Sequence, residues 1–410
     1  MHGILAQFGP GTAFTLVLLA LLGLRASVTP RTSLWIKTTP EKLWALLETS
    51  DGKTENWGRT NVVSKLIDAS QQIYEKTYTT ILASGVARTA SALFKVSARQ
   101  ENQKIELRRF GLDEKSLNNE LLEMRHELTP ENGGVRLRTT YQWGSRPLIA
   151  QLIARADLWS GAYRIKGLAE TGIPNERPYH IISAAVALVT GLISLVGFAV
   201  VLRIDFAIAL VLALFVHEFG HLLAFRLVGQ PWGRMVFLPF LGAMAMPRMS
   251  FETQGQAVFS ALMGPGLSTL LTIGCAAHLF LGYAPIAMLC ILGAISAFLN
   301  LFNLVPAEPL DGGIALRSVL TRLIGKNAYY GLMAIGALVV GAGLYWEQMI
   351  LMLFGGLAIL ANIRPRKIDA GLAPLSTLEM CITAFSYAAI CFTHLTLLRY
   401  FIEKLNTLSS

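Results

Sequence analysis

The sequence predicts a polytopic α-helical membrane protein of about 8 transmembrane helices, with a soluble α+β domain inserted after the first helix. Hydrophobic residues make up 53% of its 410 residues and charged residues only 15%, whereas average soluble domains carry about 25% charge. The charge is also segregated: residues 30–172 carry 37 charged residues, and the other 267 residues carry 24. Residues 30–172 therefore have the composition of a water-soluble domain, and the remainder has the composition of a membrane-embedded protein.

The composition also excludes several classes of protein. The apolar content is far too high for a disordered chain, and four cysteines in 410 residues are too few for a disulfide scaffold. A net charge of +9 is compatible with nucleic-acid binding. Its placement fits the positive-inside bias of membrane proteins better, so we expect no nucleic-acid partner.

Eight apolar runs are candidates for transmembrane helices, because a bilayer-spanning helix needs roughly 20 apolar residues, with about 17–25 tolerated. The runs cover residues 6–24, 180–202, 206–228, 256–282, 284–306, 327–346, 347–363 and 376–398. The seventh run is short enough to be half of a broken helix. The first is followed rather than preceded by basic residues, which favours an anchor over a cleaved signal peptide.

The basic residues of the short loops predict the orientation of the chain in the membrane. If the soluble domain is cytoplasmic, eleven Lys and Arg residues near the ends of the helices lie inside and three lie outside. This asymmetry predicts a multi-pass protein of a plasma (inner) membrane, with the soluble domain in the cytoplasm.

Ionisable residues within apolar segments are energetically costly and mark function by default. The third run is interrupted by His217-Glu218-Phe219-Gly220-His221. Histidines at positions i and i+4 share one helical face, so both imidazoles can bind one Zn²⁺, and Glu218 can act as general base. The alternative is a pair of hydrogen-bonded core histidines, which leaves the glutamate between them unexplained.

A catalytic zinc typically has three protein ligands and one open position, so a third ligand is expected elsewhere in the fold. Asp311 is the strongest candidate. It follows the fifth run in a segment whose two prolines and two glycines interrupt helical structure. The topology places it toward the same membrane face as His217 and His221. The alternative for Asp311 is a helix N-cap at the membrane boundary.

The H-E-x-G-H helix, together with the segment from Asn303 to Gly312 (N-x-x-P-x-x-x-x-D-G), resembles the site-2 protease family of intramembrane zinc metalloproteases. Gly264-Pro265-Gly266 in the fourth run is similar to that family's G-P element. The family usually has an asparagine shortly afterwards, where this chain has Ser268-Thr269. The resemblance covers about residues 180–325.

The resemblance implies a role for each matching residue. His217, His221 and Asp311 would bind one zinc ion per chain, and Glu218 would activate water. Asn303 would orient the substrate or stabilise the oxyanion, and its alternative role is hydrogen bonding between helices. The domains are then an N-terminal anchor, a soluble domain, a metalloprotease core and C-terminal transmembrane helices. Their bounds are 1–29, 30–172, 173–325 and 326–410.

A transmembrane helix must unwind locally before its peptide bonds can be cut, and the unwound strand then needs an edge to pair with. Residues 235–247 are a candidate because they contain two prolines and a glycine and are too short to span the membrane twice as helices. The resemblance implies a membrane-embedded loop here. An interfacial loop with no substrate role is the alternative.

Residues 30–172 show strand-like alternation, with a short helix after Pro40 and a long helix over 146–171. This order of elements resembles the helix-grip fold of START-like and polyketide-cyclase-like proteins. The cue is Trp35-Ile36 followed by Pro40-Glu41-Lys42-Leu43-Trp44. The resemblance implies a cavity for an apolar ligand, so the domain is expected to be a sensor. The alternatives are a substrate-binding domain or one that only packs against the membrane portion.

The leading prediction is a zinc metalloendopeptidase acting in regulated intramembrane proteolysis. Its expected partners are a membrane protein substrate helix, the lipid bilayer and an apolar ligand. A membrane metal-ion transporter is a second hypothesis, although the sequence shows one ligand cluster and no repeat. A third is an inactive protease-like scaffold with a ligand-binding domain, which Glu218 argues against. Outside the motifs, His278 and His394 are expected to be packed or interfacial, and Glu308 to be a solvated loop carboxylate.

Overall fold

The structure is a computed structural model that describes residues 25–56, 60–81, 87–110, 121–239, 242–281, 283, 286–363 and 372–409. The chain divides into two units, Met1–Ala185 and Val186–Ser410. The predicted first transmembrane run, residues 6–24, lies outside the described residues.

The first unit is built on an antiparallel sheet whose nine described strands run in the order β1-β9-β8-β7-β6-β5-β4-β3, with β2 also paired to β9. The strands are β1 (Arg25–Val28), β2 (Arg31–Ile36), β3 (Thr54–Asn56), β4 (Thr60–Asp68), β5 (Ile73–Ile81), β6 (Ala87–Gln100), β7 (Lys104–Arg109), β8 (Leu121–Glu131) and β9 (Gly134–Pro147). Two helices, α1 (Pro40–Leu47) and α2 (Leu148–Thr171), complete the sheet domain, as predicted.

The alternation of buried and exposed residues along the strands explains how this sheet folds. Val135, Leu137 and Thr139 of β9 are buried, whereas Arg136 and Arg138 between them are partly or fully exposed. The buried strand residues join residues of α1 and α2 in one apolar core, and this burial stabilises the sheet domain. The core residues are Ile36, Leu43, Trp44, Leu47, Ala92, Phe94, Ile105, Leu107, Leu128, Val135, Leu137, Ile165 and Ala169.

The sheet begins earlier than predicted. Arg25–Val28 pairs with the end of β9, with Arg25 opposite Pro147, whereas the predicted N-terminal anchor, residues 1–29, includes these residues. The physical reason is the length of β9, whose 14 residues pair with β2 along one part and with β1 along another. A four-residue strand carries too little periodicity to be predicted from its sequence.

The second unit is helical, and α3 connects the two units along the chain. The helices are α3 (Arg177–Val201), α4 (Ile204–Leu227), α5 (Gln254–Phe280), α6 (Ala287–Asn303), α7 (Asp311–Ile324), α8 (Ala328–Tyr345), α9 (Met349–Asn362) and α10 (Thr377–Ser409). Five helical stretches among the described residues are apolar and long enough to cross a membrane: 177–201, 204–227, 254–280, 311–345 and 377–408. Helices α6 and α9 are apolar but have only 17 and 14 residues. The described part of the chain thus supports a polytopic membrane protein without reaching the predicted count of about eight.

Helix α4 packs against α5 and α6, and the close contact with α5 depends on small residues. A β-carbon at Gly220 of α4 would overlap the Met263 carbonyl of α5, so the two backbones meet directly. Close approach through glycine is the usual way in which membrane helices pack. Helix α10 packs against α5, α6 and α7.

The candidate loop at residues 235–247 forms a β-hairpin. Strands β10 (Arg234–Leu238) and β11 (Gly242–Met246) pair antiparallel, from Arg234 opposite Met246 to Leu238 opposite Gly242. Strand β10 is mostly buried, and the backbone N–H of Phe237 donates to Thr190 Oγ1 of α3. Strand β11 is the more exposed of the two, and Met244 is 43% exposed.

Candidate functional site

Helix α4 places His217, Glu218 and His221 in one buried cluster. The two histidines are one turn apart, so their rings share a face, with the ring centroids 4.8 Å apart and the ring planes nearly perpendicular. Their Nε2 atoms lie 3.2 Å apart. His217 is 2% exposed and Glu218 is 5% exposed, and the ligand atoms of the three side chains lie within 4.8 Å of one another.

Asp311, the first residue of α7, completes this cluster. Its Oδ2 atom lies 3.2 Å from His217 Nε2 and 3.5 Å from His221 Nε2. The two following glycines make this approach possible. A β-carbon at Gly312 would overlap the Leu304 carbonyl, and one at Gly313 would overlap the backbone of Ala307. The structure therefore brings Asp311, the predicted third ligand, together with His217 and His221.

The distances among these three atoms fit a shared zinc ion. Tetrahedral ligands at the usual zinc distances of about 2.0–2.2 Å must lie about 3.3–3.6 Å from one another. The observed separations are 3.2, 3.2 and 3.5 Å. The Asp311 Oδ2 atom is buried without a hydrogen-bond donor among the described residues.

The hydrogen bonds behind the two imidazoles determine which nitrogen carries the proton. His221 Nδ1 lies 2.7 Å from the Ser260 carbonyl oxygen, and His217 Nδ1 lies 2.8 Å from Asn300 Oδ1. The Asn300 amide nitrogen donates to the Ser296 carbonyl at 2.6 Å, which orients its oxygen toward His217. Both Nδ1 atoms therefore donate, and both Nε2 atoms direct lone pairs toward Asp311. Three acceptors that converge in a buried site suit a shared cation, and hydrogen bonds of this kind orient the ligands of zinc sites.

Sequence reasoning missed Asn300 and selected Asn303, one helical turn later. The Asn303 amide donates to the Leu299 carbonyl of its own helix at 3.1 Å, and its side chain is half-buried. Its predicted substrate role stays a prediction. The only signal for Asn300 in the sequence is that it is a polar amide residue within an apolar run.

Helix α5 closes the other side of the cluster at Gly264. A β-carbon at this position would lie 2.5 Å from two atoms of the His221 ring and 3.1 Å from the His217 ring. The G-P element singled out by the sequence therefore has a steric reason: only hydrogen fits against the two imidazoles.

One sequence expectation near the site is wrong. Glu308 was expected to be a solvated loop carboxylate, but both of its oxygens lie 2.5 Å from an Arg317 nitrogen, and the two side chains are largely buried. The pair joins the loop before Asp311 to α7. The expectation failed because the partner lies nine residues later, on a helix whose rotation the sequence does not reveal.

The sheet domain contains a separate cavity of about 320 Å³. Its lining is Leu46, Leu47, Glu55, Val62, Lys76, Tyr78, Leu107, Met124, His126, Tyr141, Gly161, Arg164 and Ile165. The sequence predicts a cavity for an apolar ligand, whereas the lining also contains charged residues and polar aromatic residues. Lys76 pairs with Glu55 at 3.3 Å, and His126 shares a hydrogen bond with Thr139 at 3.0 Å. Burial lowers the pKa of His126 to about 4, so its imidazole is neutral at pH 7.

The chain resembles a curated protein in sequence. No protein-family model matches the chain. The chain is 32% identical over 162 residues to a protein of Synechocystis sp. (strain PCC 6803) named "Putative zinc metalloprotease". The match covers 39% of this chain, and the chain spans 41% of the length of that relative.

Among solved structures, the chain is similar to the site-2 protease from Methanocaldococcus jannaschii. The identity is 22% and the TM-score 0.30, and the match covers 44% of this chain and 90% of the protease chain. It is also similar to the di-domain ARO/CYC StfQ of the steffimycin biosynthetic pathway. There the identity is 17% and the TM-score 0.27, with 35% of this chain and 50% of StfQ covered. These are the two kinds of protein whose motifs the sequence resembles.

Proposed function

We propose that this protein is an intramembrane zinc metalloendopeptidase that hydrolyses peptide bonds within or near transmembrane segments of membrane proteins. The observation that carries the proposal is the convergence of His217 Nε2, His221 Nε2 and Asp311 Oδ2 within 3.2–3.5 Å, with the Glu218 carboxylate in the same buried cluster. Three protein ligands with room for water are typical of a catalytic zinc rather than a structural one.

A zinc ion held by these three side chains would supply a Lewis acid that makes water nucleophilic near neutral pH and polarises a carbonyl. Glu218 is the general base in this scheme: its carboxylate takes a proton from the attacking water. The same carboxyl group then gives that proton to the departing amine nitrogen as the C–N bond breaks. His217 and His221 keep their Nδ1 protons throughout, because those protons are bonded to Asn300 and Ser260.

The β10–β11 hairpin supplies an edge that an unwound substrate segment could use. Among the described residues, β11 pairs with β10 alone, and its side chains are partly exposed. If the substrate segment pairs with β11 as an added strand, its backbone N–H and C=O groups are hydrogen-bonded. Those groups could not bond to water inside the lipid bilayer. This is the reason to assign substrate binding to β11 within the proposal.

The proposed location is a bacterial inner membrane with the sheet domain in the cytoplasm, supported by the excess of Lys and Arg in the loops on that side. The proposed setting is regulated proteolysis, since a chain that joins a peptidase site to a domain with an internal cavity can couple cleavage to a small molecule.

We further propose that the cavity binds an amphipathic small molecule rather than a purely apolar one. Its volume falls within the usual range for ligand pockets, about 300–1,000 Å³. Its lining combines apolar side chains with those of Lys76, Tyr78, His126 and Tyr141. These groups favour a ligand with its own polar group, because an ammonium has three donors and the one contact with Glu55 does not use them all.

The decisive experiment is Glu218→Gln in the full-length protein, purified in detergent. The variant should retain one zinc ion per chain, since the three ligands are untouched, and should lose cleavage of a membrane reporter substrate by at least about 100-fold. Glu252→Gln, a glutamate on the loop after the hairpin, serves as the matched control and should cleave normally. Unchanged cleavage by Glu218→Gln would refute the proposal, as would a wild-type protein that binds no zinc.

A further inference from the structure

Helix α10 lies outside the segment that carries the motifs, yet two of its side chains reach the backbone beside the metal cluster. Tyr387 and His394 are seven residues apart, which is two helical turns, so both lie on one face of α10. Ile390 and Cys391 lie between them and pack against the apolar core formed by α5, α6 and α7.

Tyr387 forms a hydrogen bond with the end of α6. Its hydroxyl donates to the Leu304 carbonyl at 2.5 Å. Leu304 is the C-cap of α6, where a helix leaves carbonyls without partners. The same carbonyl lies against Gly312, the residue after Asp311. The hydrogen bond therefore fixes the surface on which the first turn of α7 rests.

His394 acts on α5. Its Nε2 atom lies 3.2 Å from the Pro265 carbonyl and 3.2 Å from Thr269 Oγ1, and the residue is completely buried. Proline within a helix removes one backbone hydrogen bond and lets the helix bend. Pro265 follows Gly264, which contacts both imidazoles. Thr269 Oγ1 of α5 donates to the same carbonyl at 2.9 Å, and the His394 imidazole adds a contact from α10, which restricts the bend at the point where α5 meets the cluster.

We propose that Tyr387 and His394 are positioning residues: from one face of α10 they fix the carbonyls of Leu304 and Pro265. In this way they hold Asp311 and Gly264 at the distances from His217 and His221 that a shared ion requires. C-terminal helix α10 is then part of the metal centre's support and not only an additional membrane span. This inference rests on the metal centre of the proposed function and not on its peptidase activity.

The test uses the full-length protein loaded with Co²⁺, whose visible absorption reports ligand geometry. Tyr387→Phe removes one hydroxyl and His394→Leu removes the donor, whereas His394→Gln keeps a donor at a similar reach. We expect Tyr387→Phe and His394→Leu to lose Co²⁺ to a chelator about tenfold faster than wild type, with altered absorption bands. His394→Gln should release Co²⁺ at a rate close to that of wild type, because its amide can still donate to the Pro265 carbonyl.

Matched controls separate positioning from general stability. Tyr400→Phe removes a hydroxyl from another face of α10, and Ile390→Val trims packing on the same face without touching a hydrogen bond. Both should keep the wild-type spectrum and release rate. Normal Co²⁺ release by Tyr387→Phe and His394→Leu would overturn the positioning role while leaving the proposed function intact, and so would equal acceleration by Ile390→Val. A wild-type protein that binds no Co²⁺ or Zn²⁺ would overturn both.

Discussion

His217 Nδ1 donates to Asn300 Oδ1 at 2.8 Å, a contact between α4 and α6 across 83 residues of sequence. This hydrogen bond holds the imidazole in the tautomer whose Nε2 lone pair faces Asp311. A histidine ligand that loses its hydrogen-bond partner can rotate or change tautomer, and such changes typically cost about 10–100-fold in metal affinity.

Asn300→Leu should therefore weaken zinc binding about 10–100-fold, as measured by competition with a chelator. Asn303→Leu is the matched control, because the Asn303 amide bonds to its own helix, and this variant should keep zinc. Lower cleavage by Asn303→Leu at full zinc occupancy would support its predicted substrate role. Equal zinc loss in the two variants would contradict the assignment of Asn300 to His217.

Gly264→Ala should remove zinc binding or displace the imidazoles, because its β-carbon would lie 2.5 Å from the His221 ring. Gly274→Ala in the same helix meets no atom within 4 Å and should stabilise the protein by about 0.5–1 kcal/mol, since alanine is the better helix former. Zinc content and thermal midpoints of the two variants provide the comparison. Normal zinc content in Gly264→Ala would show that α5 does not close the cluster.

A liposome experiment separates hydrolysis from metal transport. A transporter needs ligands on both sides of the bilayer, whereas the described residues show one cluster of this kind. Liposomes that contain the protein should therefore take up zinc no faster than empty ones, as measured with an internal zinc-sensitive dye. Uptake that depends on His217 and Asp311 would favour the transport hypothesis.

The sheet domain should lose stability as the pH falls from about 6.5 toward 4. His126 has a folded pKa of about 4, against an ordinary value of 6.5, because burial disfavours its charged form. The unfolded chain binds a proton in this window and the folded chain does not, so protonation favours unfolding, by about 2 kcal/mol at pH 5. Pulse proteolysis of the full-length protein should show this slope, and His126→Gln should flatten it. His180→Gln, which changes an exposed histidine, should not.

Lys76 should control ligand binding to the cavity. Its side chain lines the cavity, is almost fully buried and pairs with Glu55. Native mass spectrometry of the full-length protein should detect a bound small molecule with a polar group, and Lys76→Met should lose it. Lys95→Met, on the neighbouring strand and outside the lining, is the control. A cavity that is empty in the wild type would contradict the ligand proposal.

The grouping of His217, His221 and Asp311 could be predicted because the information for it is local. The spacing of His217 and His221 specifies one face of a helix, and the prolines and glycines around Asp311 mark the break from which it reaches the cluster. Asn300 and Ser260 could not be assigned in this way. Their contacts depend on the rotation of α5 and α6 about their axes, which packing of the whole unit decides.

The same contrast applies to the fold. The alternation along β9 and the lengths of α3, α4 and α5 predicted those elements closely, because burial imposes the period. Helices α6 and α9 are shorter than the predicted runs that contain them. At α6 the reason is that the loop residues at its ends, Ile286, Leu304 and Val305, are apolar too. Composition cannot separate an apolar loop from the last turn of a helix, so the number of spans was the weakest part of the fold prediction.

The contact between Gly220 and Met263 has a consequence for genetics. When two side chains clash, a second substitution can trim one of them and restore the fit. Here the obstructing group is a carbonyl, which every amino acid carries. A defect caused by Gly220→Ala would therefore have no suppressor among single substitutions of Met263, and reversion would be expected to restore glycine itself.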